Sequence, residues 1–355
     1  MSKIKCELFC NSNIEHLQLI YTGFRLLEKQ GKIKFYFHIH RNQPAHLPKH
    51  YLGEILVKLN DTKLLLFDMR DFGNIQEDCL DQIDFYFKRS FSARIVGPEV
   101  AFKKIFPLGL GYEVHEKWPS LFSLERVLLE QSPSRVAKSF IRELMAPLGL
   151  FHPLLYRLHM DNCFAKPDPS LPPGIIFMAK LWDPSKAKPK ERDEREMINM
   201  MRVDCIRRLR REFGSIFLGG LAHDEYASRY FPDCLLKDAR QAYFGNYIRL
   251  VRQYPIGVAT TGLHSSIGWK FAEYVAFSRA IVSEKLHFEA PGLESGKHYL
   301  EFTNVDQCAE AVSTLVHDGQ LRAKMMYDNH EYYQTKLRPD MLVWNALAIA
   351  IENSG

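Results

Sequence analysis

Residues 254–284 read YPIGVATTGLHSSIGWKFAEYVAFSRAIVSE, and the pattern of this segment changes twice along its length. The apolar run IGVA (256–259) predicts a buried strand, and the small polar residues after it predict a turn. From Ile267 onward apolar residues recur at helical spacing, which predicts a helix with Ser265 or Ser266 as its N-cap. This order places backbone N–H groups and the positive end of the helix dipole at the turn. The segment therefore predicts an anion site that suits a phosphate.

The rest of the chain repeats this alternation of short apolar runs and helical patterns. Strands are predicted for KIKFYFHIH, KLLLFDMRD, IDFYFKRSF, KKIFPLGLGY, IIFMAKLW, SIFLGGL, RAIVSE and YLEF. Helices are predicted over Ile14–Lys29, Leu121–Leu158, Glu191–Arg211 and Met341–Glu352, and after an N-cap near Asn304. The segment Cys163–Gly174 holds four prolines in twelve residues and predicts a boundary between two α/β halves.

Composition excludes several classes of protein. The 355 residues are 46% hydrophobic, which suits two domains of about 150–180 residues each. The net charge of +5 indicates no polyanionic partner, and we interpret the basic run RRLRREFG (207–214) as a solvated helix face rather than a nucleic-acid site. Seven scattered cysteines without a CxxC pair indicate reduced thiols in a cytoplasmic protein and no metal site. No transmembrane segment is expected, which leaves at most a weak peripheral membrane contact.

A resemblance follows from the order of motifs in the second half. The runs IIFMAKLWDP, IFLGG and GKHYLEF surround segment 254–284, which contains the string K-x-x-E-Y-x-A from Lys270 to Ala276. Together they resemble the donor-binding domain of GT-B glycosyltransferases, particularly that of group 1. The resemblance implies an α/β fold of two Rossmann-like domains facing each other across a cleft, with a C-terminal helix returning to the first. It divides the chain into an acceptor-side domain (1–165), a donor-binding domain (166–335) and that final helix (336–355).

Spacing alone gives three of the candidate donor contacts. On a helix, Ser266, Lys270 and Glu273 share one face, turned away from the apolar stripe, and this face is expected to meet a ligand. Lys270 would neutralise phosphate charge, and Glu273 would accept hydrogen bonds from both ribose hydroxyls. The same spacing also suits an exposed ion pair of little consequence, so this alternative stays open.

Further donor contacts are expected around the turn and at strand ends. Gly262 and His264 lie where the backbone would approach the leaving phosphate, with Ser265 at the predicted helix start. The resemblance adds Lys180 at the end of one strand, where related proteins often place a phosphate-binding base, and Gly219 near the end of the next. An ordinary loop lysine and a tight-turn glycine are the alternatives for these last two.

One departure from the family limits the predicted mechanism. Many retaining members carry two glutamates separated by seven residues, and the first of these positions here holds Ser265. An inverting displacement is therefore at least equally open, and it needs a base that takes the proton of the acceptor hydroxyl. Asp71 and Asp68 at the end of a predicted strand are the first candidates, followed by His40. Each is alternatively a loop carboxylate or a surface histidine.

The sequence thus predicts a glycosyltransferase that moves a sugar from a nucleotide-sugar donor to a hydroxyl of a glycan acceptor. No metal or other cofactor is expected, because helix N–H groups and a cation can stabilise the leaving diphosphate. Two alternatives remain, namely a sugar-nucleotide epimerase of the same fold and a non-catalytic subunit that binds nucleotide or glycan. The chain lacks a Walker A loop and a G-x-G-x-x-G after a strand, which argues against an ATPase or an NAD-dependent dehydrogenase.

Overall fold

A computed structural model describes residues 4–10, 15–39, 47–48, 51–116, 137 and 160–353. These residues form two compact units. The first comprises 1–163, 288–291 and 334–355, and the second comprises 164–287 and 292–333. The assignment of acceptor and donor roles to the two units stays a prediction.

Each unit is built on one β-sheet. The strands of the first sheet are β1 (Ile4–Cys10), β2 (Ile33–Ile39), β3 (Glu54–Leu59), β4 (Lys63–Asp68), β5 (Phe85–Lys88) and β6 (Ile105–Pro107). Those of the second sheet are β7 (Ile175–Ala179), β8 (Phe217–Leu221), β9 (Ile256–Ala259), β10 (Ala280–Glu284) and β11 (Leu300–Phe302).

The described helices follow the predicted alternation. They are α1 (Gln18–Lys29), α2 (Ala93–Val96), α3 (Pro189–Phe213), α4 (Glu225–Tyr230), α5 (Phe244–Gln253), α6 (Trp269–Ala276), α7 (Val305–His317), α8 (Gly319–Tyr332) and α9 (Pro339–Glu352). Asn304 caps α7 through the Gln307 N–H, as predicted. The helix predicted over Leu121–Leu158 lies outside the described residues except for position 137, which is helical.

The first sheet has the strand order β2-β1-β3-β4-β5-β6. Strand β3 runs antiparallel to both neighbours, and the remaining pairs are parallel. Helix α9 packs on α1, and the approach is so close that a Cβ atom at Gly23 would lie 2.3 Å from the Pro339 carbonyl oxygen. The C-terminal helix therefore belongs to the first unit, as predicted.

The second sheet is fully parallel, with the order β11-β10-β9-β7-β8. Strands β7 and β9 are buried along their whole length, which explains their continuous apolar sequences. Read from β8, the order corresponds to the doubly wound 2-1-3-4-5 arrangement. The topology confirms the predicted α/β class with two Rossmann-like units. Strands β1 and β3 were not predicted from the sequence.

Candidate functional site

The order of the second sheet creates a switch point between β7 and β9. The chain leaves β7 toward β8 on one side and leaves β9 toward β10 on the other. Open α/β sheets bind ligands in the crevice outside the carboxyl ends of two such strands. Lys180 follows β7 directly, as predicted, and Thr260 and Thr261 follow β9. A contact between Lys180 and a donor phosphate stays a prediction.

Arg202 of α3 joins the two strand ends at the switch point. Its side chain is only 9% exposed, and it donates to the Lys180 carbonyl at 2.6 Å, the Thr261 carbonyl at 2.9 Å and Thr260 Oγ1 at 3.0 Å. Burial lowers the pKa of the guanidinium to about 10, so it still carries its charge at neutral pH. Arg202 is not among the residues predicted from the sequence.

The loop between β9 and α6 has an unusual backbone. His264 and Ser265 have φ values of 60° and 56°, a left-handed conformation that non-glycine residues rarely adopt. Two carboxylates hold the loop: Glu194 accepts from the His264 N–H at 2.5 Å, and Glu284 accepts from the Thr261 N–H at 2.9 Å. A phosphate that approaches the backbone at His264, as predicted, would therefore compete for this N–H with a carboxylate that is already bound.

The same loop corrects the predicted helix start. The N-cap of α6 is Gly268, without a side-chain cap, rather than Ser265 or Ser266. Ser266 lies before the helix, where its carbonyl accepts from the Gly262 N–H at 2.8 Å. A Cβ atom at Gly262 would lie 2.7 Å from Ser266 Oγ, so a larger residue there would require the Ser266 side chain to move.

Lys270 and Glu273 of α6 lie beside Tyr247 of α5, and Lys270 is only half-buried. The Lys270 ammonium lies 3.6 Å from the centroid of the Tyr247 ring, a cation–π contact. Burial lowers the pKa of Lys270, and burial with the nearby Glu273 carboxylate raises that of Tyr247 well above its ordinary value. Glu273 is only 4% exposed. On the predicted ligand face Glu273 is therefore buried while Lys270 is only partly buried, and the donor contacts of both residues stay predictions.

Gly219 lies inside β8 instead of at its end. A Cβ atom there would lie 2.3 Å from the Phe217 ring and 2.5 Å from the Phe177 carbonyl oxygen. Close packing therefore accounts for this glycine, while the strand continues to Leu221. A contact between Gly219 and the donor stays a prediction.

A second feature of this sheet edge is a cavity of about 540 Å³ on the α3 side of the loop. Met197, Met200 and Met201 of α3 line it, together with the two carboxylates that hold the loop, Glu194 and Glu284. Ser265 also lines this space, which we call the methionine cavity. Among the described residues that line the methionine cavity, Ser265 is therefore the only predicted donor contact.

The carboxyl edge of the first sheet carries a buried row of charges. Glu54, Asp68 and Lys88 stand at adjacent positions of β3, β4 and β5, and all three side chains are 0% exposed. Arg70 forms an ion pair with each carboxylate at 2.7 Å, and Tyr86 donates to Asp68 at 2.5 Å. Burial and the neighbouring Asp68 raise the pKa of Glu54 to about 7.

Asp68 is thus placed in an ion cluster rather than beside open solvent. Burial alone would raise its pKa, but hydrogen bonds from Arg70 and the charge of Lys88 outweigh burial and lower it. Lys88 donates to Asp68 Oδ2 at 2.8 Å. Strand β5 lies between β4 and β6, so Lys88 does not stand on an edge strand. A catalytic role for Asp68 stays a prediction that requires this cluster to open.

Asp71 is the more accessible candidate base, with its side chain 34% exposed. It forms an ion pair with Arg89, and its Oδ2 lies 3.6 Å from His16 Nε2. Although burial opposes ionisation, His16 and Arg89 hold the pKa of Asp71 well below its ordinary value. The structure thereby adds His16, which the sequence analysis did not select. His40 lies outside the described residues.

Three observations concern other classes of site. Among the described residues, no group of three or more His, Cys, Asp or Glu side chains is arranged to hold a metal ion. None of the helices in the described ranges is long and apolar enough to cross a membrane. All seven cysteines are buried and form no disulfide with one another.

Comparison with known proteins gives structural similarities only. No family model matches the chain, and no curated protein matches it. The C-terminal domain of LpcC, a glycosyl transferase group 1 family protein from Francisella tularensis, is 13% identical with a TM-score of 0.33, covering 50% of this chain and 97% of that domain. S. aureus TarM, in complex with UDP, is 10% identical with a TM-score of 0.40, covering 76% of this chain and 44% of TarM. Anabaena HepE, in complex with UDP-glucose, is 12% identical with a TM-score of 0.34, covering 99% of each chain. At such values these similarities carry no conclusion about the reaction or its ligands.

Proposed function

We propose that this protein transfers a sugar from a nucleotide-sugar to a hydroxyl of a glycan acceptor. The observation that carries the proposal is the switch point between β7 and β9, where Arg202 ties the strand ends and Lys180 stands beside them. Ligands of doubly wound sheets bind at this position. A lysine there, with the N-terminus of α6 following β9, suits a diphosphate.

The proposed donor site stabilises the leaving diphosphate electrostatically. As the bond between sugar and phosphate breaks, negative charge develops on the phosphate oxygens. The Lys180 ammonium supplies one opposite charge, and the first N–H groups of α6, at Trp269 and Lys270, point toward an incoming anion. Such fixed donors need no reorganisation during the reaction. The proposal includes no metal ion.

On the acceptor side, we propose the His16–Asp71 pair as the base. The imidazole takes the proton of the acceptor hydroxyl as its oxygen attacks the anomeric carbon, and the Asp71 carboxylate stabilises the imidazolium that forms. The low pKa of Asp71 makes it a weak base by itself but keeps it charged for this supporting role. The sequence predicts Asp71 as the base itself, whereas here Asp71 supports the base His16.

The first test is nucleotide binding by calorimetry. Nucleoside diphosphates and their sugar conjugates should bind, and Lys180→Met should weaken binding by about tenfold. Lys324→Met is the matched control, since Lys324 belongs to the same unit but pairs with Asp328 at an exposed position. The proposal fails if no nucleotide binds, or if the two variants bind equally well.

The second test separates transfer from its alternatives by product analysis. Transfer requires an acceptor, whereas an epimerase changes the sugar nucleotide without one, and a non-catalytic subunit binds without turnover. His16→Gln should lower the transfer rate by about 10²-fold or more and leave donor affinity unchanged. Full activity of this variant would exclude His16 as the base. Addition of EDTA should not change the rate if the reaction needs no metal.

The predicted ribose contact of Glu273 has its own control. Glu273→Gln should weaken binding of a nucleoside diphosphate by about tenfold. The same substitution should have no effect on a 2′,3′-dideoxy nucleotide, which lacks the hydroxyl groups in question. An equal loss with both nucleotides would assign Glu273 a structural role within its buried cluster. The cytoplasmic location and any peripheral membrane contact stay predictions.

A further inference from the structure

The wall that α3 contributes to the methionine cavity is rich in sulfur. Met197, Met200 and Met201 all line this space. Positions three and four residues apart are neighbours on a helix surface, so the side chains of Met200 and Met201 both lie next to that of Met197. One wall of the cavity is thus formed by three thioether side chains.

Two of these methionines do not belong to the hydrophobic core. The exposed fraction of Met197 is 68% and that of Met200 is 43%. Helix α3 instead buries Val203, Ile206 and Leu209 in the core of the second unit. Methionine often fills irregular gaps inside a core, but burial does not account for these two positions. Their thioethers are therefore accessible to a ligand.

The rest of the lining favours a positively charged ligand. Glu194, Asp204 and Glu284 contribute carboxylates, and no lysine or arginine is among the described residues of this wall. An excess of one sign of charge in a cavity attracts ions of the opposite sign. Glu194 and Glu284 already hold the β9–α6 loop through hydrogen bonds, so the carboxylates supply the field and are not needed as ligands.

The donor atoms restrict the kind of cation. Thioether sulfur is soft, and soft ligands select Cu(I), whereas Mg²⁺, Ca²⁺ and Mn²⁺ prefer oxygen. Zn²⁺ is usually bound by thiolate, imidazole or carboxylate. His287, which is exposed and lines the same cavity, adds an imidazole, a ligand that also suits copper. Three thioethers and one imidazole therefore indicate a soft ion.

Methionine side chains can converge on such an ion without movement of the helix. Each is unbranched and has three rotatable bonds, and a cavity of about 540 Å³ leaves room for them to turn inward. Met197 and Met200 are exposed, so their rotation breaks little packing. The helix fixes the spacing of the three residues, and the side chains supply the adjustment.

We infer that the methionine cavity binds one soft monovalent metal ion, of the class of Cu(I), through three thioethers and one imidazole, those of Met197, Met200, Met201 and His287. The expectation of no metal site was drawn from cysteine spacing, which does not bear on thioether ligands. The ion takes no part in the proposed transfer, so the inference goes beyond the proposed function and stands independently of it.

Calorimetric titration with Ag⁺ in chloride-free buffer tests this inference, because Ag⁺ shares the charge and softness of Cu(I) and is stable in air. The wild-type protein should bind Ag⁺ at least about 100-fold more tightly than Zn²⁺ or Mg²⁺. Loss of an outer partner alone costs about 10–100-fold in metal affinity. Met197→Leu/Met200→Leu/Met201→Leu, which keeps side-chain size, should therefore lower Ag⁺ affinity by about 100-fold or more, and His287→Gln by about tenfold. Equal affinity for Zn²⁺, or unchanged Ag⁺ affinity in the triple variant, would overturn the inference.

Two control variants separate these thioethers from other sulfur atoms. Met325→Leu/Met326→Leu changes methionines of the same unit that are 1% and 0% exposed, and it should bind Ag⁺ like the wild type. Cys205→Ala removes a buried thiol 3.9 Å from Met201 Sδ and should also keep Ag⁺ affinity. Circular dichroism verifies that each variant is folded before titration. Loss of Ag⁺ binding in Cys205→Ala, with binding retained in the triple variant, would assign the ion to the thiol and overturn the inference.

Discussion

Replacement of Arg202 by methionine tests the switch-point site most directly. The substitution keeps the buried aliphatic part of the side chain but removes hydrogen bonds to the Lys180 and Thr261 carbonyls and to Thr260 Oγ1. Each buried acceptor left without a partner costs about 1–3 kcal/mol. Two carbonyls are affected, so we expect the free energy of unfolding to fall by about 3 kcal/mol. Because both walls of the crevice lose their connection, nucleotide affinity should fall about tenfold or more.

Arg322→Met is the matched control for this experiment. Arg322 is also 9% exposed and donates to two carbonyls, those of Leu315 at 2.7 Å and Val316 at 3.1 Å, but these lie at the end of α7. Urea denaturation should show a loss of stability in both variants, whereas calorimetry at a temperature where both are folded should show weaker binding only for Arg202→Met. Equal nucleotide affinity of the two folded variants would refute the role assigned to Arg202.

Three further predictions concern packing and buried charge. The pKa of Glu54 is raised to about 7 in the folded protein, so ionisation of this carboxyl opposes folding. Between pH 5 and 8 the free energy of unfolding should therefore decrease by about 2–3 kcal/mol relative to that of Glu54→Gln. Urea denaturation measures both proteins across this range, and parallel pH profiles would contradict the prediction. Lys88→Met leaves Asp68 as a buried charge with fewer partners, so the free energy of unfolding should fall by about 3–5 kcal/mol. Thermal denaturation measures this change, and a decrease no larger than that of typical surface variants would contradict the prediction. Gly219→Ala should destabilise the protein by about 1–3 kcal/mol through overpacking without changing nucleotide affinity. Gly319→Ala is the control and should not destabilise, because a Cβ atom there meets only the Arg322 side chain, at 3.6 Å. Weaker nucleotide binding by Gly219→Ala alone would instead support the predicted contact of Gly219 with the donor.

The fold was predictable where strand signals are local. Strands β7 to β10 are apolar runs bounded by turn residues, so their existence follows from the sequence. Strand β1 was missed because Lys5 and Glu7 interrupt its apolar residues, and β3 because its apolar residues lie between Glu54 and Lys58. The order of strands could not be predicted from these patterns, since it depends on pairing between distant segments, such as β1 with β3.

The site was less predictable because burial depends on tertiary packing. Helical spacing correctly groups Lys270 with Glu273 but does not show that α5 places Tyr247 over the lysine. Arg202 did have a sequence signal: it falls at i+4 from Ile198 and i−7 from Leu209, on the stripe that α3 buries. A charge on an apolar stripe needs buried partners, and this criterion would have identified Arg202. The left-handed backbone at Ser265 could not be predicted in this way, because glycine is the usual sequence indication of a positive φ and this position holds serine.

The carboxylates on the β9–α6 loop change how donor affinity should be understood. Glu194 already occupies the His264 N–H, so a phosphate that uses this donor replaces one anion by another instead of filling an empty position. The free energy of such an exchange is a difference between two similar charge-assisted hydrogen bonds. The displaced Glu194 side chain would have the methionine cavity beside it to enter. If the proposed donor phosphate uses this N–H, its binding and the state of that cavity would be thermodynamically linked, and anything that occupies the cavity would compete with the displaced carboxylate.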